Sequence, residues 1–248
     1  QYWNPVMAGP YPSLSWSVDD LDPSVILPAG GAMASNSELD QSASLFTSGM
    51  RQVTVTASGA LSASSSALVQ LNPAGLDHFE FDYAVFDTLD VQATTNPFTI
   101  RVWAKDNFGN NFPYNGPVSM RARIGGTDES ADYIITSTNT FVNGRLDALV
   151  QVTKRAFSVQ LVIDSNTGVV ELSGDFQVNS GPIDRVLITY PGETWTPGLN
   201  TPGFSGNMGV PNPTTAGGVL TPVQLRTVDA YANLVSGTWV ATLACPTG

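Results

Sequence analysis

Cysteine and histidine are nearly missing from this 248-residue sequence, which has one of each, Cys245 and His78. A lone thiol builds neither a disulfide framework nor a cysteine metal cluster, and it fits either redox compartment. A single imidazole excludes a His-rich metal site and confines any Ser-His-Asp triad to His78. Charge is scarce too: 12% of residues carry one, where about 25% is usual. Only Lys105 and Lys154 of the ten basic residues are lysines, and the net charge is −11. So acidic a chain repels a phosphate backbone, which argues against nucleic acid as a partner. No run approaches the roughly 18 to 20 apolar residues of a spanning helix, so no membrane insertion is expected. No basic segment leads into a short apolar run as a signal peptide would. Helix patterning is also lacking, and the 17 prolines are spread through the chain where they would break it.

What is present is alternation. Gln52-Val53-Thr54-Val55-Thr56-Ala57, Phe98-Thr99-Ile100-Arg101-Val102-Trp103 and Val159-Gln160-Leu161-Val162-Ile163 switch between apolar and polar with period two, the pattern of strands with one buried face. Turn formers separate them, as in Asn107-Phe108-Gly109-Asn110, Gly125-Gly126 and Ser165-Asn166-Thr167-Gly168. The spacing predicts an all-β protein of sandwich type.

An internal repeat organises the chain. Residues 69–79, VQLNPAGLDHF, align with 176–186, FQVNSGPIDRV, about 107 residues on, with Asn72 over Asn179 and Asp77 over Asp184. Downstream, FTIRVWAKDNFGN at 98–110 matches VQLRTVDAYAN at 223–233, so that Asp106 falls on Asp229 and Asn110 on Asn233. This register predicts tandem immunoglobulin-like β-sandwiches. A short or partial domain covers 1–73, a complete one 74–180, and a truncated one 181–248, with about 16 extra residues in a long loop at 201–218. An open last sandwich would expose its core. The expected remedy is a natural chain that continues past Gly248, which also accounts for the start at Gln1 and the unpaired Cys245; the alternative is a strand from another subunit.

The segments NPAGLDHFEFDY and NPFTIRVWAKDNFGNNFPYNGPVSM resemble the bacterial Ig-like repeats of the invasin and intimin type found in large secreted surface proteins. Such repeats carry a strand, an Asp-x-x-Gly-Asn turn and a further strand; here the turn is Asp106, Gly109 and Asn110. The resemblance spans about residues 70–180, is partial over 183–248, where Ala232 replaces the turn glycine, and reaches only the final strands of 1–70. It implies a rod, spacer or lattice element on a cell surface, and no catalytic position.

Candidate sites are few. His78 lies in an alternating strand beside Phe79 and is expected at the surface, and GFSGN at 203–207 lacks the final glycine and helix of a nucleophile elbow. No catalytic residue and no organic cofactor are expected. Calcium needs six to eight oxygens, and of the carboxylate clusters Asp19, Asp20 and Asp22 form the best of the weak candidates, ahead of Asp87 with Asp90 and Asp128, Glu129 and Asp132. Asp77 and Asp184 could share an ion at the module junctions, solvation being the plainer state. Of the five tryptophans, Trp103 and Trp239 are expected to pack and Trp195 to present an exposed ring, the one place a glycan platform would fit. No Asn-x-Ser/Thr site with x other than Pro occurs. The function expected is a non-enzymatic structural component of an extracellular surface layer, sheath, filament or stalk, self-associating with its own copies or with other surface proteins. The alternative is an adhesin or glycan- or protein-binding arm.

Overall fold

Period-two alternation becomes strand throughout the residues that the structure, a computed structural model, describes: 12–19, 24–32, 39–58, 64–82, 91–201, 203–237 and 240. The fold is all-β; the helical element among these residues is a 3-10 turn, Ala131–Tyr133, capped by the Ser130 hydroxyl. Two units divide the chain, Gln1–Leu76 with Lys105–Phe112, and Asp77–Ala104 with Pro113–Gly248.

The first unit contains β1 (Ser13–Val18), β2 (Gly31–Ala32), β3 (Gly49–Arg51), β4 (Val53–Ala57), β5 (Ser64–Ser65) and β6 (Val69–Leu71). One antiparallel sheet has the order β2-β1-β4-β5, and β3 pairs separately with β6. Register sets Leu14 opposite Ala57, Trp16 opposite Val55 and Val18 opposite Val53. All six side chains therefore share one face, with Ser15, Thr54 and Thr56 on the other. That apolar face is only half-buried, and among the described residues of this unit the single fully buried one is a carboxylate, Asp106.

The second unit begins with a sandwich made of β7 (His78–Phe81), β8 (Val91–Ala93), β9 (Phe98–Lys105), β10 (Gly116–Ile124), β11 (Asp128–Ser130), β12 (Ile134–Thr136), β13 (Thr140–Phe141), β14 (Arg145–Val152), β15 (Ala156–Ser165), β16 (Val170–Leu172) and β17 (Phe176–Asn179). One sheet has the order β12-β14-β9-β7 and the other β11-β10-β15-β17-β8, with β13 on β10 and β16 on β15. Only the β8–β17 pair is parallel among these ladders. Alternate residues point inward: Ile100 and Val102 from β9 and Leu146 and Val150 from β14 oppose Val118, Leu161 and Ile163 of the second sheet, all essentially inaccessible to solvent. Aromatic rings bridge the two layers, Phe98 edge-on to Phe176 at 5.7 Å and Phe79 stacked on Phe141 at 4.8 Å. The β13–β14 hairpin closes on Asn143 (φ 49°) and Gly144 (φ 78°), the left-handed pair that a two-residue turn requires. Asp147 lies between Arg101 and Arg145 on the outer face, at 2.7 and 2.6 Å, exposed enough that each pair contributes only about 0–1 kcal/mol.

Past the sandwich lie β18 (Arg185–Thr189), β19 (Glu193–Trp195), β20 (Asn207–Gly209) and β21 (Gln224–Val228). β18 pairs with β21 and β19 with β20, both antiparallel. Leu187, Val228 and Ala232 form a small buried cluster with Trp195 packed on it. The segment 201–218 is therefore not loop throughout, because β20 lies within it and Gly206 adopts φ 101°, where an added Cβ would sit 2.5 Å from that of Ala232.

Replacing Leu161, which is fully inaccessible, with alanine is expected to destabilise the second unit by about 2–5 kcal/mol. Phe157→Ala on the same strand, 79% exposed, should change stability by less than about 0.5 kcal/mol. Urea unfolding of the two variants, followed by tryptophan fluorescence, checks the contrast.

Candidate functional site

The two Asp-x-x-x-Asn turns that mark the repeat are built alike, atom by atom. Each closes on itself through main-chain bonds: the Asp106 N–H donates to the Asn110 carbonyl at 2.9 Å, and the Asp229 N–H to that of Asn233 at 3.0 Å. One carboxylate oxygen accepts two further amides within each turn. For Asp106 these are Phe108 and Asn110 at 2.9 and 2.8 Å, and for Asp229 they are Tyr231 and Asn233 at 3.0 and 2.9 Å.

Beyond this local closure, the second oxygen reaches a distant strand exit. Asp106 Oδ2 accepts from the Ala74 N–H, and Asp229 Oδ2 from the Gly181 N–H, both at 2.9 Å. The asparagine side chains reach further. Asn110 Oδ1 accepts from the Ser48 N–H and its Nδ2 donates to the Phe46 carbonyl, each at 2.8 Å. Asn233 Oδ1 accepts from the Arg155 N–H at 2.9 Å while its Nδ2 donates to the Thr153 carbonyl at 2.8 Å. Ala74 and Gly181 are 107 residues apart, as are Phe46 and Thr153, and Ser48 and Arg155. The partner sets thus repeat at the spacing of the sequence repeat. All bonds of the first clasp lie within the first unit, and all those of the second within the second unit.

Around the second clasp the network widens. Thr94 Oγ1 donates to Asp229 Oδ2 at 2.5 Å, and Thr153 Oγ1 donates to the Gly198 carbonyl at 2.5 Å. Gln151 Nε2 donates to the Thr94 carbonyl and to the Tyr231 hydroxyl at 2.6 and 2.9 Å. The Asn200 N–H donates to the Asp132 carbonyl at 2.8 Å, and the Lys154 ammonium lies 4.0 Å over the Tyr133 ring. These contacts tie residues 181–233 to one end of the preceding sandwich.

Both aspartates and Asn233 are buried. An unpaired buried carboxylate costs several kcal/mol, whereas a hydrogen bond to a charged group returns about 1.5–3 kcal/mol. Asp106 has four donors and Asp229 five, so each charge is stabilised where it lies. Burial would by itself raise the pKa of Asp106, but hydrogen bonds from the Asn110 amide and from the backbone of Ala74, Asn110 and Phe108 outweigh it and hold the carboxyl below its ordinary value. A carboxylate surrounded by N–H donors presents no lone pair to a substrate proton and no open position to a cation. The clasp chemistry is structural.

The turn glycine Gly109 has φ 80°, and its counterpart Ala232 takes φ 61°. Alanine there pays about 1–2 kcal/mol of left-handed strain. Burying its methyl beside Gly206 and Leu187 returns part of it.

Asp19 Oδ1 accepts from the Gln52 N–H at 2.8 Å, while Asp20, Asp22, Asp87 and Asp90 lie outside the described residues, as do Trp3, Trp239 and Cys245. Among the described residues no three His, Cys, Asp or Glu side chains converge as a metal site would require. Asp77 instead meets His78 Nδ1 at 3.0 Å on the exposed edge strand, and Asp184 pairs with Arg185. Trp195 differs from expectation: its ring packs on Leu187, Val228 and Ala232, its indole N–H donates to the Ala232 carbonyl at 2.9 Å, and the Arg226 guanidinium covers it at 4.8 Å. The ring was read as exposed because Gly and Pro surround it, but those residues form the turn that folds it inward. An open groove of about 500 Å³ is lined instead by Trp103, Thr138, Thr140, Val142 and Arg145.

No family model and no curated protein matches this sequence. Solved structures of surface-layer proteins do. The chain is similar to surface layer protein SbsC, domains 4–9, with 18% identity over 90% of this chain and 29% of that one, at a TM-score of 0.33. It is similar to the S-layer protein rSbsC(31–844) with 16% identity over 90% of this chain and 24% of that one, at a TM-score of 0.30. SbsC domains 4 and 5 are 17% identical over 66% of this chain and 75% of that one, also at 0.30. The chain thus spans less than a third of the first two. No helix among the described residues is long and apolar enough to cross a membrane.

The depressed Asp106 carboxyl has a definite pH consequence. Its proton is held more tightly in the unfolded chain, so its contribution to stability is complete above the unfolded pKa and is lost as pH falls through the lower folded value. Unfolding followed between pH 6 and 2 should show this loss in the parent, and Asp106→Asn should be less stable at pH 6 with a flatter acid limb. Asn233→Ala leaves the Thr153 carbonyl and Arg155 N–H unpaired, at about 1–3 kcal/mol for each buried group. Hydrogen exchange should report lost protection at Arg155 and Gly181 with the Leu161 amide unchanged.

Proposed function

We propose that this chain is a non-enzymatic structural component of a microbial cell-surface assembly, such as a surface layer, sheath, filament or stalk, built from Ig-like modules in series. The proposed modules are 1–73, 74–180 and 181–248. The observation that carries the reading is the duplicated clasp. On these boundaries each copy takes a turn of one module into hydrogen bonds with the last strands of the module before it, using main-chain partners 107 residues apart. A joint made twice from the same parts serves a chain that must hold its modules in fixed succession. Catalysis places no such demand.

The strand order of the middle sandwich supports the Ig-like assignment. In chain order β7, β9, β12 and β14 make one sheet and β10, β15 and β17 the core of the other, the A-B-E-D and C-F-G division of that fold. The kinship with invasin- and intimin-type repeats rests on the Asp106–Asn110 turn and the strands flanking it. A surface rich in Ser, Thr and Gly with few lysines fits an extracellular setting, and partners are then copies of this chain or other surface proteins. Calcium at Asp19, Asp20 and Asp22 remains a proposal for titration. A glycan-binding arm is the second reading, and the Trp103 groove, with Arg145 5.8 Å from the ring centroid, is where it would act.

Immunogold labelling and thin-section electron microscopy of producing cells provide the test. Ordered label over the cell surface, with a lattice or fibre lost on deletion of the gene, is the expected result. A diffuse intracellular distribution overturns the proposal. Saturable oligosaccharide binding by the monomer, abolished by Trp103→Ala, would favour the second reading.

A further inference from the structure

Two apolar faces in this chain are left half-covered, and they are the two halves of an interface that the middle sandwich closes. In that sandwich Phe79 and Phe81 of β7 and Ile100 and Val102 of β9 point inward, and none is more than 4% exposed. The repeat places Val186 and Ile188 of β18 at the positions of Phe79 and Phe81, and Val223 and Leu225 at those of Ile100 and Val102. Val186 is 50% exposed, Val223 40% and Leu225 41%. The opposite side of this ribbon, bearing Leu187 and Val228, is the one that Trp195 and Ala232 cover. β18 and β21 thus present the inner face of a sheet with no second layer on it.

The first unit presents the complementary layer. Met120, Ala122 and Ile124 pair in the middle sandwich with Ile163, Leu161 and Val159. Leu14, Trp16 and Val18 pair with Ala57, Val55 and Val53 in the same order, each 106 residues earlier. The later set is buried apart from the half-buried Ile124, whereas all six of the earlier set are half-buried. The Trp16 indole N–H on this face is shielded from solvent and has no hydrogen-bond partner, a condition that native structures rarely leave uncorrected.

We propose that the β18–β21 face of one copy closes against the β1–β4 face of a second, completing a sandwich between molecules and joining copies head to tail. This deepens the structural reading above and rests on it. Because the two faces differ, the contact is heterologous and each joined copy still offers one free face, so association propagates as a strand of molecules rather than stopping at a symmetric dimer. The occupant is a second copy because each face has the register and apolar pattern that covers the other in the closed sandwich, and every molecule carries both.

Sedimentation of the full chain tests this with two variants, Leu225→Asp in β21 and Val55→Asp in β4. The parent is expected to form a concentration-dependent series of dimers, trimers and longer species. Each variant alone should stay at the mass of one chain. An equimolar mixture should yield a species of twice that mass and no larger, since one good face remains on each partner. The mixture also controls for folding, because a misfolded variant cannot dimerise. As a second measurement, Leu225→Cys and Val55→Cys in a Cys245→Ser background should be joined by a short bis-maleimide in the mixture and not separately. A monomeric parent, long species from either charged variant alone, or equal cross-linking of the separate cysteine variants overturns the proposal. Assembly that persists in both variants overturns this pairing while leaving the surface-structural function standing; failure of the cell-labelling experiment would do the reverse.

Discussion

Each clasp depends on a carboxylate that would be expensive to bury alone. Asp106 and Asp229 are inaccessible to solvent, and each is kept charged by amides drawn from its own turn and from a strand exit elsewhere in the chain. The desolvation cost is recovered only when those donors are all in place. The interaction is therefore close to all-or-none: the turn, the strand exit and the asparagine contacts form together. In the second unit this fixes residues 181–233 against the sandwich, and the Thr94, Gln151 and Thr153 bonds then fall into place around it.

Most bonds of the clasps end on main-chain atoms. A backbone carbonyl or amide has the same chemistry whatever side chain it carries, so Phe46 and Ser48 can do for one clasp what Thr153 and Arg155 do for the other. The side chains that must be specified are one aspartate and one asparagine per copy. The repeat survives at the level of these two residues while the strands around them have diverged.

That asymmetry explains what was legible in the sequence. Alternation in Phe98–Lys105 and Ala156–Ser165 announced strands, and both are strands with the expected face inward. The aligned Asp and Asn positions announced equivalent turns. The recurrence of Asn110 and Asn233 was the available signal for something further, since the Asp side chain and the main chain suffice to close the turn. Their partners stayed hidden because main-chain donors leave no mark in composition or periodicity. Trp195 was misjudged for a related reason: Gly192, Gly198 and Gly206, with φ between 87° and 101°, suggest a solvent loop, yet they turn the chain so that the ring meets Leu187 and Ala232. β20 was invisible because three residues, Asn207–Gly209, are too few to establish a period.

The scarcity of lysine acquires a meaning from where the two lysines fall. Lys105 immediately precedes Asp106 and donates to the Gly109 carbonyl, and Lys154 stands between Thr153 and Arg155 with its ammonium over Tyr133. Acylating or aldehyde reagents aimed at side-chain amines therefore find targets in this protein only beside its two clasps. Such treatment, commonly used to fix or tether surface proteins, would act here on the hinge points and spare the walls between them.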